Sequence, residues 1–250
     1  MAERYPVMEG AEPFYFEGND TGVLVIHGFT GSTHSMRPLG ESFHEAGFTV
    51  FGPRLAGHGT HPEDLEQTSW QEWCDNVEEG FRFLKETCTD IYVVGLSMGG
   101  TLTLYLAERI PEMKGIIVIN AAIEIPDADP GQLPDQRFVH TAPPDIKKET
   151  DVRAVYGQTP VKAYGELFGL MLETRSNLMD ITVPARIFVS DVDHVVPPAN
   201  SEDIYHTISS ENKRIIPMHD SYHTAVLDND KEMIAIESIA FINGLTSTSG

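Results

Sequence analysis

Basic residues are scarce in this chain of 250 residues: 17 Lys and Arg stand against 38 Asp and Glu, a formal charge of −21. A surface this acidic repels nucleic acid and anionic membrane, so neither is expected as a partner. The excess is spread along the chain and reads as a solvated surface rather than a partner-binding tail. Cysteine is nearly absent too. Cys74 and Cys88 are the two that occur, 14 positions apart in one expected helix. At ~1.5 Å rise per residue they stand ~21 Å apart, out of disulfide reach. No disulfide and no cysteine metal site is expected, which suits a reducing cytoplasm. No apolar run nears the ~18 residues of a membrane span. The opening Met1–Tyr5 carries no apolar stretch of a secretion signal. The closing Thr246–Gly250 is small and polar and reads as a frayed tail.

What is present is ordinary for a globular protein, 41% hydrophobic and 22% charged, and long enough for one large α/β domain with a modest insertion. Short β-branched runs recur at Val23–Ile26, Phe48–Phe51, Ile91–Val94, Ile116–Ile119, Ala185–Val189 and Lys213–Pro217. They are apolar on both faces, as strands covered by helices on both sides must be. Pro13–Phe16 adds a possible edge strand. Helical patterns intervene at about 36–46, 69–87, 99–109, 199–209 and 229–243. The clearest opens with a capping box, Ser69 and Glu72, followed by an apolar stripe from Trp70 to Leu84 that reads as core packing. This alternation predicts a mostly parallel sheet with right-handed crossovers.

One connection breaks the rhythm. Between Ile119 and Ala185 lie 65 residues, far more than one crossover helix needs. The stretch from Glu124 to Thr150 is rich in Pro and Asp, and a helix-like segment, Val161 to Thr174, follows. A structureless loop of this length is improbable. The expected organisation is a core of residues 1–123 and 177–250, with an inserted cap, 124–176, at the carboxyl ends of the strands, where open α/β sheets bind ligands.

The run Ile91–Val94 leads straight into Gly95-Leu96-Ser97-Met98-Gly99-Gly100, and a helical pattern follows. This is G-x-S-x-G between strand and helix, the setting that aims a serine Oγ outward from a sharp turn. Without that setting Ser97 would be an unremarkable turn residue. A serine needs a base, and in this architecture the acid and then the histidine follow it in the chain. His140 falls in the cap, His206 inside a helix, and His194 beside the acids. His219 and His223 both follow the last strand, and His223 is favoured because it lies where the loop meets the final helix. Asp191 and Asp193 both follow the strand ending near Ser190. Position alone does not separate them; Asp191 is read as a turn residue and Asp193 as the acid. The oxyanion needs two N–H donors. Met98 supplies one, and Phe29, in His27-Gly28-Phe29-Thr30-Gly31 after an early strand, the other. His27 reads as a residue that fixes this loop. In the cap, Tyr164, Leu167, Phe168 and Met171 share a helical face, which either glues the cap to the core or lines an acyl tunnel.

Five motifs now stand in one order: His27–Gly31, Gly57-His58-Gly59-Thr60-His61, Gly95–Gly100, Asp193-His194-Val195-Val196-Pro197 and Ser221-Tyr222-His223. Together they resemble the bacterial monoacylglycerol lipase and carboxylesterase group of the α/β-hydrolase superfamily, over nearly the whole chain. The resemblance implies Ser97 as nucleophile, Asp193 as acid, His223 as base, and Phe29 and Met98 as oxyanion donors. It implies hydrolysis of carboxylic esters, monoacylglycerols among them, through an acyl-enzyme, with no metal and no organic cofactor; the small cap and the lack of a long flap point to short to medium acyl chains. The serine argues against relatives of this fold that use a carboxylate nucleophile. Two other classes remain open: a thioesterase or peptidase, or a ligand-binding homologue with little turnover.

Overall fold

The structure, a computed structural model, describes residues 3–125, 133–149 and 155–246. Parts of the Pro- and Asp-rich stretch, 126–132 and 150–154, and the tail beyond Thr246 lie outside the described residues. Each apolar run lies in, or within one residue of, a strand. In chain order these are β1 (Phe14–Phe16), β2 (Thr21–Ile26), β3 (Thr49–Gly52), β4 (Asp90–Leu96) and β5 (Gly115–Ile119). Two short strands follow, β6 (Phe138–His140) and β7 (Gln158–Pro160), and then β8 (Ala185–Ser190) and β9 (Lys213–Met218). Seven of them form one sheet in the order β1-β3-β2-β4-β5-β8-β9. All pairings are parallel except that of β1 with β3, which makes β1 an antiparallel edge.

The two-residue alternation within the strands divides the core in two. Val23, Val25, Ile117, Ile119 and Phe188 point to one face, where α1 (Thr33–Glu45) and α7 (Lys231–Thr246) cover them with Met36, Phe43, Ile234 and Ile242. Leu24, Ile26, Ile116, Val118 and Ile187 point to the other, against α3 (Trp70–Lys85) and α4 (Met98–Arg109). Both faces are therefore dry, which is why the runs carry no polar alternation. The expected capping box of α3 is present: the Ser69 N–H donates to Glu72 Oε2 at 2.9 Å. α3 ends at Lys85, so Cys88 lies beyond it and not within the same helix as Cys74; both thiols are buried and unpaired. A single-turn helix, α2 (Pro62–Leu65), left no periodic signal because it is four residues long.

The long connection from β5 to β8 holds β6 and β7, paired antiparallel, then α5 (Val161–Asn177) and a short 3-10 turn. α5 packs on α3 and α4. Polar ties add to this packing. The Tyr156 hydroxyl donates to Gly57 O at 2.6 Å and accepts the Thr60 N–H at 2.8 Å. The Trp70 N–H, at the start of α3, donates to Glu166 Oε2 at 3.2 Å. After β8 the chain makes α6 (Ala199–Thr207). No described helix is long and apolar enough to cross a membrane.

Candidate active site

Ser97 stands between β4 and α4 with φ 57° and ψ −121°, a left-handed conformation rare for any residue with a Cβ. Its glycines make this turn possible. A Cβ on Gly95 would overlap the carbonyl oxygen of Gly99, and one on Gly99 would overlap that of Ile26. Strand and helix thus meet backbone to backbone, and the serine is pushed out at the sheet edge. Met98 is the first residue of α4, so its N–H has no acceptor within the helix.

The second expected donor lies against the same serine. Gly28 abuts it so closely that an added Cβ would stand 3.2 Å from Ser97 Cβ. Phe29 follows, and its ring meets Tyr164, Trp73 and His58 at 5.3, 6.1 and 6.2 Å. The loop is pinned by His27, which is fully buried. Its Nε2 accepts the Leu55 N–H at 3.2 Å, so its proton sits on Nδ1, which donates to Gly28 O at 2.9 Å. Burial pushes the His27 pKa down to about 4 and that of its neighbour His58 well below the ordinary imidazole value, keeping both rings neutral. Thr30, with φ 58°, closes the loop in a strained conformation that no sequence pattern announces.

Two histidine–aspartate pairs cross between the loops after β8 and β9. His223 Nδ1 lies 2.7 Å from Asp193 Oδ2, and His219 Nδ1 lies 2.7 Å from Asp191 Oδ2. Burial separates them. The side chains of His223 and Asp193 are 8% and 2% exposed, those of His219 and Asp191 74% and 52%. The Asp191 carboxylate lifts the His219 pKa, but in open solvent. The turn role expected of Asp191 belongs instead to Asp193, whose Oδ1 accepts the N–H groups of Val195 and Val196, both at 2.8 Å. One carboxylate therefore holds the turn with one oxygen and the imidazole with the other.

Ser97 and His223 line one cavity of about 240 Å³, together with Phe29, Tyr164, Leu167 and Val196. Of the cap residues expected to meet an acyl chain, the structure brings Leu167 to this cavity. Phe168 and Met171 are not part of its lining; they are buried in the core formed with α3 and α4. A second depression, of about 280 Å³, lies under the first residues of the chain, lined by Glu3, Arg54 and Asp64, and holds neither Ser97 nor His223. Among the described residues no group of His, Cys, Asp and Glu is placed to hold a metal ion.

The family described as serine aminopeptidase, S33, matches residues 18–148 and 134–230. A thermostable monoacylglycerol lipase of Bacillus sp. (strain H-257) is 50% identical over 246 residues, 96% of this chain and 98% of that protein. A carboxylesterase of Bacillus subtilis (strain 168) is 31% identical over 242 residues, 94% of this chain and 97% of that one. A solved structure from work on LipS and LipT, two metagenome-derived lipolytic enzymes, superposes with a TM-score of 0.93 at 43% identity, covering 96% of this chain and 100% of the other. The chain belongs to the monoacylglycerol lipase and carboxylesterase group of α/β-hydrolases.

In this hydrolase, three residues around His223 escaped the reading of the sequence. Asn120, buried and at φ 45° just past β5, donates through Nδ2 to Ser190 Oγ and to the His223 carbonyl, each at 2.9 Å. Ser190 Oγ donates in turn to Tyr222 O at 2.9 Å. Asp145, from the long connection, accepts the backbone N–H groups of His194 and His223. Burial works to raise the Asp145 pKa, but its hydrogen bonds to the His194 backbone and ring and to the His223 N–H outweigh it and hold the carboxyl below its ordinary value. None of these contacts spans fewer than 32 positions in sequence, so no local spacing signals them.

Proposed function

We propose that this carboxylic ester hydrolase cleaves monoacylglycerols and simple alkyl esters of short to medium acyl chains, in two steps on Ser97. Ser97 Oγ attacks the ester carbonyl while His223 Nε2 takes its proton. Asp193, bonded to Nδ1, holds the tautomer that leaves Nε2 free and balances the imidazolium. The N–H groups of Phe29 and Met98 stabilise the oxyanion, which collapses to the carbonyl of the Ser97 acyl-enzyme as the bond to the alcohol breaks and His223 protonates the departing alcohol oxygen. Water, deprotonated by the same imidazole, attacks the acyl-enzyme; the tetrahedral adduct collapses and returns Ser97 with the carboxylic acid released. Nucleophile, base and oxyanion donors are all protein groups, so the reaction is read as needing no cofactor.

The observation that carries this reading is the buried His223–Asp193 pair on the same apolar cavity as a strained Ser97. Residues 124–176 are read as a cap on a core of 1–123 and 177–250, with Tyr164 and Leu167 forming its wall of the cavity. The reading includes the cytoplasm as compartment, supported by two buried, unpaired cysteines. A hydrolysis panel tests the substrate class: monoacylglycerols and alkyl esters of graded chain length, set beside thioesters and amides. Turnover of the esters, lost in Ser97→Ala by several orders of magnitude, is the expected result. A serine-reactive phosphonate is expected to label Ser97. Preference for amides, or labelling elsewhere with Ser97 untouched, overturns the reading.

A further inference from the structure

Neither His223 nor Asp193 lies in a helix or strand. The backbone that carries the imidazole must therefore be fixed by groups from other elements, and Asp145 supplies the largest share. Its Oδ2 accepts the His194 N–H at 3.1 Å and the His223 N–H at 3.3 Å. Its Oδ1 lies 2.9 Å from His194 Nδ1, and its own carbonyl accepts the Thr224 N–H at 2.9 Å. One residue thus ties the loop of the acid, through the neighbour of Asp193, to the loop of the base, through His223 and Thr224. It also faces the cavity that holds Ser97. From the opposite side the β-sheet grips the same loop, Asn120 Nδ2 donating to the His223 carbonyl.

Asp145 does not belong to the sheet. It comes from the connection between β5 and β8, the segment read as the cap. We propose that Asp145 is a positioning residue, which by tying the acid and base loops together sets the aim of the His223 imidazole at Ser97. Its bonds hold the acid and base loops at one spacing. Without the Asp145 side chain, the backbone anchor of His223 on that side and the His194 anchor beside the acid are lost together. This rests on the assignment of Ser97, Asp193 and His223 made above.

The test uses three variants of the full chain, assayed on a small soluble ester and by the rate at which a phosphonate labels Ser97. Asp145→Ala removes every side-chain bond and is expected to lower kcat and the labelling rate roughly 10- to 100-fold, with KM little changed, since misplacement alone costs that much. Asp145→Asn can keep its one oxygen toward both N–H groups and is expected to recover most of the rate. Asp145→Glu keeps the charge but shifts the oxygens by one methylene, and is expected to be slowed like the alanine variant. Melting temperatures are measured alongside, and the glutamate and asparagine variants decide the matter if the alanine variant does not fold. A labelling rate unchanged in the alanine or glutamate variant, a rise in KM alone, or an asparagine variant as slow as the others overturns the proposal. Failure of the phosphonate to label Ser97 in the parent protein overturns instead the reading of the triad.

Discussion

Asp193 and Asp191 sit two residues apart and each meets a histidine at 2.7 Å, yet their environments give them different work. The exposed pair is screened and worth little. The buried pair fixes a tautomer. Asp193→Asn separates these effects further, because its retained oxygen can still accept the N–H groups of Val195 and Val196. Its amide then faces His223 Nδ1 as a donor, which forces the proton onto Nε2 and removes the base. Ester hydrolysis is expected to fall by about 10⁴ in kcat with little change in melting temperature. Asp191→Asn is expected to keep most of the activity. Steady-state kinetics on both purified variants checks this, and an inactive Asp191→Asn beside an active Asp193→Asn reverses the assignment. Chain order and the strand before it pointed to this pair of aspartates, but the choice between them rests on burial, which a two-residue difference in sequence does not encode.

At the scale of elements, α5 has two functions at adjacent positions. Leu167 lines the cavity, while Phe168 packs in the core beside it. Leu167→Ala is therefore expected to shift the chain-length profile, each lost CH₂ contact being worth up to ~0.8 kcal/mol. Phe168→Ala is expected to lower stability by about 3 kcal/mol or more and leave the shape of the profile intact. Hydrolysis rates across an ester series, read beside denaturation curves, distinguish the two. Elsewhere on α4, the side chain of Glu108 near the end of the helix is buried. Burial pushes its pKa up to about 8, although Arg109, 2.6 Å away, works to lower it. The folded state therefore holds a proton that the unfolded chain, near the ordinary 4.5, releases. The contribution to stability is complete below about pH 4.5 and is lost as pH rises through about 8. Glu108→Gln removes this dependence. Its melting temperature relative to the parent is expected to rise between pH 5 and pH 9, measured by thermal melts at both ends. The helical face of 164–171 was legible from its spacing; which of its residues meets the cavity was not, because two consecutive residues of that face, Leu167 and Phe168, divide between lining and core.

Across the whole molecule, the sheet was legible because its strands are dry on both faces, and the serine because its glycines mark a turn of extreme crowding. The pair β6–β7 and the single turn of α2 were not, since three or four residues are too few to show a period. The contacts of Asp145 and Asn120 were hidden for a different reason: they join elements far apart in the chain. The same separation has a consequence in time. Ser97 leaves the fourth strand, but Asp193 and His223 follow the eighth and the ninth, and the ninth is the outermost strand on its side of the sheet. A growing chain carries its serine long before it has a base to deprotonate it. On the proposed triad, hydrolytic power is thus withheld during synthesis until the last strand has docked and the loop after it is tied down. In refolding from denaturant, recovery of turnover is expected to lag recovery of helical circular dichroism, since the longest-range contacts close last. Simultaneous recovery of the two signals, followed by stopped-flow mixing with a chromogenic ester, would show that the final strand is in place from the start.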